Sequence, residues 1–475
     1  MTYAQAIDYL YNLRWFGAKL GLNNTLKLAG LAGHPEARLR FIHVAGTNGK
    51  GSTCAMLESI YRAAGLRVGL FTSPHLVVFG ERLQVNRRLI TEAQIVRLVE
   101  QMRLLLKQGW PAAERAEQVS SAAHHTTGSA AQHPVATEHP TFFEVVTVMA
   151  LSYFAEQACD LVIWETGLGG RLDATNIVTP LVSVITNIHY DHQQWLGNTL
   201  PSIAAEKAGI IKPGVPIVTA TSSPEALTVI EQRAREQNAP LTLVSDADLS
   251  RPPLRRLHLP LSGVHQRVNA ALAIATVRAL ADRIPFCDDA LVAGLSNVQW
   301  PGRLQLITQS SGRQILLDGA HNLGGAEVLA VALKERGFAA RFLERPALPP
   351  QVPGGSPASR PLTLILGILQ DKDWAGMCQL LAPLASRILL VPVSSERSAG
   401  PQDLARVCRL ANSRSQVLEF PHLGQALTDA GADPFVVVAG SLYLVGEALE
   451  LLVPPKIPSE RVLNEYQCAS LAPPR

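Results

Sequence analysis

Residues 40–53 read RFIHVAGTNGKGST. The apolar run Phe41 to Ala45 feeds directly into Gly46-Thr47-Asn48-Gly49-Lys50-Gly51-Ser52, and a helical pattern with Met56, Leu57 and Ile60 on one face follows. Strand, glycine-rich turn and helix N-terminus in that order form a phosphate cradle. Backbone N–H groups converge there, the helix dipole favours negative charge, and Lys50 adds a mobile cation. The spacing departs from the common GxxxxGK[ST] loop: Val44 stands in place of its first glycine, and the hydroxyl arrives one residue late, at Ser52.

Outward from the cradle, apolar runs recur at 68–72, 161–164, 181–186 and 215–220, separated by helical stretches at 91–107, 142–157 and 200–208. That alternation predicts an α/β fold with a parallel, doubly wound sheet of the P-loop type. A second series (315–318, 362–366, 388–393 and 435–439) follows Trp300-Pro301-Gly302, with helical patterns at 326–336 and 377–385. We therefore expect an N-terminal phosphate-binding domain over 1–298 and a smaller Rossmann-like α/β domain over 299–475. The second unit has no phosphate loop of its own and is expected to complete a site built on the first.

Composition narrows the function. A chain of 475 residues, 47% hydrophobic and 17% charged, is long enough for two cores. Its net charge of +3 and the lack of a basic stripe argue against a nucleic-acid partner. No run nears the ~18 apolar residues of a membrane helix. Six scattered cysteines without C-x-x-C spacing suit a reduced, cytoplasmic protein. The stretch 111–140 reads as an exposed low-complexity insertion, its His124, His125, His133 and His139 without function. Residues 345–361 read as a second such stretch, and those from Pro454 as a loose tail.

Polar groups gather where runs end, which is where α/β enzymes place their sites. Ser73 follows the second run, Glu144 opens a helix, Glu165-Thr166-Gly167-Leu168-Gly169-Gly170 follows the third, and His192 comes after the fourth. A nucleotide cradle calls for Mg²⁺, and Ser73 and Glu144 supply suitable oxygens, with His192 a less usual ligand. Each also has a plain reading: a turn hydroxyl, a helix-start carboxylate, a loop imidazole. In the second unit Asp318 and His321 close a run, and Arg303 sits past the linker. An arginine and a histidine brought over a triphosphate would neutralise developing charge, although a linker salt bridge explains Arg303 equally well.

The motifs GTNGKGS, TSPHL, TFFE, ETGLGGRLDATN, DHQQWLG, EKAGI, HQRVNA, WPGRL, DGAHN and GSLYLVGE, in that order over residues 46–447, resemble the folylpolyglutamate synthase/dihydrofolate synthase family of the Mur ligase superfamily. The late hydroxyl of the cradle is what that family shows. The resemblance implies an ATP-dependent amide ligase that adds L-glutamate to dihydropteroate or to folylpolyglutamate through an acyl phosphate. It implies ATP phosphates held by Gly49, Lys50, Gly51 and Ser52, with Asn269, Arg303 and Asp318 also contacting ATP and His321 beside them. Ser73, Glu144 and His192 would ligate Mg²⁺. Lys207, as a carbamate, would ligate a second Mg²⁺, where a plain reading makes it a helix-end lysine. Leu20, Gly21 and Leu22 match a pterin-side loop, although Lys19 stands where some members are acidic. His189 replaces a small or apolar residue. A monomer is expected.

Two other readings compete. A Mur-type ligase on a UDP-linked cell-wall precursor needs an N-terminal UDP-binding domain, for which the residues before Gly46 are too few. A P-loop ATPase or switch would not explain the site-like residues of the second unit, and no N-K-x-D guanine-reading motif is present.

Overall fold

The computed structural model describes residues 1–16, 21–111, 139–334, 362–453 and 460. Its α/β architecture rests on two sheets. The first is built from β1 (Phe41–Ala45), β2 (Val68–Phe71), β3 (Leu83–Val85), β4 (Arg88–Leu89), β5 (Leu161–Glu165), β6 (Val182–Ile185), β7 (Ile217–Thr219) and β8 (Leu241–Leu243). They lie in the order β4-β3-β2-β5-β1-β6-β7-β8. β1 pairs in parallel with β5 on one side and β6 on the other. The chain thus reverses its winding at β1, the switch point outside which α/β ligands bind.

The second sheet comprises β9 (Gln305–Thr308), β10 (Gln314–Leu317), β11 (Thr363–Leu366), β12 (Arg387–Leu390), β13 (Gln416–Glu419) and β14 (Phe435–Ala439), in the order β13-β12-β11-β14-β10-β9. Neither sheet is wholly parallel. β3 and β4 form an antiparallel hairpin on the first edge, and β9 runs antiparallel to β10 on the other sheet. An all-parallel reading missed these strands because they are short and carry polar or exposed residues.

β1 and β5 are buried throughout and β14 at all but its first residue, as their mainly apolar sequences require when helices cover both faces. The helix Phe142–Glu156 is buried on nearly every side. It packs between the sheet and the helices Tyr3–Asn12, Asn23–Leu31 and Glu92–Gly109, so it carries almost no polar face. Around the second sheet, the helices Leu323–Lys334, Trp374–Leu381 and Pro401–Ala411 share one core.

Two expectations change. His139 is buried, not exposed: its ring centre lies 6.5 Å from that of Trp110 and its Nδ1 is 2.8 Å from Pro140 O. The other three histidines of the insertion, and residues 345–361, lie outside the described residues. Glu460 does not belong to a loose tail. Its carboxylate accepts from Tyr3 Oη (2.5 Å) and Phe79 N (2.6 Å), and its N–H donates to Val77 O at 2.9 Å.

Candidate active site

A cavity of about 550 Å³ opens where the strand ends of the two sheets face each other. Its floor is the turn after β1. Gly46 and Gly49 take φ of 144° and 83° there, and a Cβ on Gly49 would come within 2.5 Å of Asn269 Oδ1. Only glycine allows that backbone and that approach together. Asn48 N donates to Asn187 Oδ1 (2.8 Å), and Thr186 Oγ1 donates to Asn48 O (2.6 Å), so the loop after β6 fixes the cradle. Ser52 heads the helix Lys50–Ala63, 3.3 Å from Gln266 Nε2, and Asn269 Nδ2 donates to Gln266 Oε1.

Two lysines converge on one carbonyl. Lys50 Nζ donates to Gly46 O and Thr47 O, both at 3.2 Å, and Lys207 Nζ donates to Gly46 O at 2.8 Å. Lys207 ends the helix Leu200–Ala208 and is buried. Burial, reinforced by the charge of Lys50, lowers it to about 7. Close to neutral pH it is therefore partly an amine, a nucleophile an exposed lysine would not provide.

A carboxylate other than the expected one faces the cavity. Glu144 does not line the cavity. Its carboxylate accepts from Thr141 N (2.7 Å), closing the capping box that starts the helix Phe142–Glu156. Glu165, at the C-terminal end of β5, lines the cavity instead and accepts from Ser73 N at 3.1 Å. Burial raises it to about 7 against the pull of Lys50. The signal was available: a buried carboxylate closing a central parallel strand points into the crevice, whereas one three residues after a threonine reads first as a cap.

Ser73, Glu165 and His192 all line the cavity. Burial and the charge of Lys372 lower His192 to about 3, so its imidazole is neutral and able to ligate a cation. Among the described residues no three His, Cys, Asp or Glu side chains close into a metal cage. One carboxylate, one hydroxyl and one imidazole beside a phosphate cradle fit Mg²⁺, which takes few protein ligands and fills its shell with phosphate and water oxygens.

From the second sheet come Arg303, Asp318 and His321. Asp318, at the end of β10, accepts from Leu304 N and Ala320 N (both 2.9 Å) and holds the chain beside Arg303. Arg303 Nη1 donates to Gly302 O at 3.0 Å, with the charges of Asp318 and Glu165 nearby. His321 lines the same cavity. Burial, then Lys372, lowers it to about 4, so its ring is neutral here. Its ring is 2.7 Å from Gly319 O through Nδ1; donation there leaves a lone pair on Nε2, 3.8 Å from Asp191 Oδ2.

Lys372 was not singled out in the sequence. It follows β11 and donates to Asp191 Oδ1 at 2.6 Å. A lysine just past the C-terminal end of a parallel strand is the signal that could have found it. His189 lines the cavity, and its N–H and carbonyl both meet the Thr47 hydroxyl at 3.1 Å. Gly21 and Leu22 are not part of the cavity; Gly21 N donates to Leu172 O at 3.3 Å, on the turn after β5. Leu20 lies outside the described residues.

No protein-family model matches the chain. It is similar to the dihydrofolate synthase/folylpolyglutamate synthase of Bacillus subtilis, 35% identical over 94% of this chain and 98% of that protein. It is similar also to the folylpolyglutamate synthase of Lacticaseibacillus casei, 32% identical over 95% and 99%. Among solved structures, Escherichia coli FolC in complex with DHPP and ADP aligns with a TM-score of 0.74 at 29% identity, covering 95% of this chain and 97% of that one. The folylpolyglutamate synthase of Thermotoga maritima aligns with a TM-score of 0.75 at 31% identity, covering 96% and 98%. With such identity along almost its whole length, the chain belongs to the dihydrofolate synthase/folylpolyglutamate synthase family.

Proposed function

We propose that this chain is an ATP-dependent ligase that joins L-glutamate to dihydropteroate, to folylpolyglutamate, or to both. The observation that carries the reading is the convergence of Lys50 and Lys207 on Gly46 O, in a cavity closed from the other side by Arg303 and His321. The relatives' names and the ADP and DHPP of the similar FolC structure support it.

The chemistry runs in two steps. A carboxylate oxygen of the acceptor attacks the γ-phosphorus of ATP, the bond to the bridging oxygen breaks, and ADP leaves. The neutral amine of glutamate then attacks the acyl carbon, phosphate departs with its C–O electrons, and the amine gives up a proton. Gly49, Lys50, Gly51 and Ser52 hold the phosphates, Asn269 and Asp318 border the nucleotide, and Arg303 offsets the charge that grows on the transferring phosphoryl group. Nε2 of neutral His321 is placed to take the amine proton.

Ser73, Glu165 and His192 would hold Mg²⁺, with a second ion at a carbamate of Lys207. Bound Mg²⁺ would polarise the phosphoryl and acyl oxygens. As an amine, Lys207 attacks CO₂ and loses one proton, turning a cation into an anionic oxygen ligand. Leu20, Gly21 and Leu22 would lie on the pterin side. The reading divides the chain at 298–301 into two domains and makes it a cytoplasmic monomer. Among the described residues no helix is long and apolar enough to cross a membrane.

Coupling tests the proposal. Repeated turnover of ATP to ADP should need pteroate-type acid and glutamate together, and Lys50→Ala should abolish it while the fold holds. ADP release without either acceptor would make the protein a simple ATPase.

A further inference from the structure

The hairpin of β3 and β4 turns through Asn86 and Arg87, with φ of 49° and 65°. A two-residue turn of this hand suits Asn followed by Gly, because glycine has no Cβ to clash at positive φ. Arginine is a strained choice there, and strain at a non-glycine residue points to a side chain held for a purpose.

Arg87 lines the same cavity as Gly51 and Trp300, and its guanidinium carbon lies 5.9 Å from the centre of the Trp300 ring. Trp300 in turn covers the cradle: a Cβ on Gly51 would come within 2.8 Å of the indole Cζ2. The local charge is uneven as well. The carboxylate of Glu58 is already paired with Arg62 at 2.8 Å, so Arg87 is a second cation beside one acid. Its Nη1 is shut off from solvent without a hydrogen-bond partner. Glu58 Oε2 is likewise buried without a hydrogen-bond partner, so the guanidinium is attracted by that acid without bonding it and turns toward the Trp300 ring.

We propose that Arg87 is a positioning residue for the nucleotide: acting through Trp300, it holds the indole against Gly51 and so sets the cradle wall on which ATP packs. This rests on the ATP reading above. Titration calorimetry of the full chain with Mg·ADP tests it without turnover. Arg87→Gly and Arg87→Asn both tolerate positive φ, so each should keep or raise the melting temperature. Each should weaken Mg·ADP about three- to fivefold. In a Trp300→Leu background the same replacements should cause no further loss. Affinity equal to that of the unaltered chain, or losses that simply multiply with Trp300→Leu, would overturn the proposal. An unaltered chain that fails to bind Mg·ADP would instead overturn the ATP reading.

Discussion

Lys372 Nζ sits 2.6 Å from Asp191 Oδ1, joining the loop after β11 to the loop after β6 across 181 residues of sequence. Both side chains are 7% exposed. Asp191 also accepts from Asn322 Nδ2 at 2.8 Å, and Asn322 and Asn48 exchange amide hydrogen bonds at 3.0 and 3.2 Å. Burial would raise Asp191, but His192, Lys372 and His321 together hold it well below the usual carboxylate range. One carboxylate thus fastens the two sheets and keeps two histidines beside it.

Lys372→Met removes a cation that lowers both His192 and His321. Both imidazoles should then titrate at higher pH, each now facing Asp191 without competition from an ammonium. An NMR titration of the ring Cε1–H signals reads this directly; unmoved midpoints would show that Lys372 does not govern them.

Lys207 offers a pH test with a definite sign. Its folded value, lowered to about 7, lies below that of an ordinary lysine, so the reactive amine grows as pH rises through 7. Stimulation of activity by added bicarbonate should therefore be weak at pH 6 and strong at pH 8. The same burial makes the folded state bind fewer protons than the unfolded one between about 7 and 10.5, so this residue adds stability as pH rises across that window. A bicarbonate response that is flat or falls over pH 6–8 contradicts the carbamate role.

Gly170→Ala tests how tightly the turn after β5 supports Lys207. A Cβ there would lie 2.8 Å from both Glu206 O and Lys207 O, backbone atoms that cannot swing away. Overpacking of this kind costs about 1–3 kcal/mol. Denaturant unfolding should show that loss, together with lower activity from a displaced Lys207. A variant of native stability would mean that the helix Leu200–Ala208 yields easily.

Replacing residues 112–138 by a short glycine-serine linker should leave the fold standing, because Trp110 and His139 at its two ends already pack 6.5 Å apart. The melting temperature should move by only a few degrees. A collapse of the transition would show that the segment contributes to the core.

How much was legible follows from where each residue gets its partners. β1 and β14 match their predicted runs residue for residue, because strands buried on both faces are mainly apolar; the exception, His43, meets Thr175 Oγ1 at 2.9 Å. β8 and β13, at sheet edges and largely exposed, carry no such signal. The Asn86-Arg87 turn was missed because it lacks the glycine by which such turns are read. In the site, cradle positions could be placed from local order. Glu165 was missed because an acid at a strand end carries no mark of its own, and only the packing shows that it faces the cavity. The Asp191–Lys372 pair is beyond any spacing rule, since it exists only once the two sheets face each other.

The most direct test of the central claim is product formation from labelled glutamate, ATP and Mg²⁺, with dihydropteroate and tetrahydrofolate offered as separate acceptors. The account predicts label in a folate product with one or both acceptors, one ADP per glutamate joined, and none of either from Lys50→Ala. Label incorporated without ATP, or ADP formed with no labelled product from either acceptor, would contradict it.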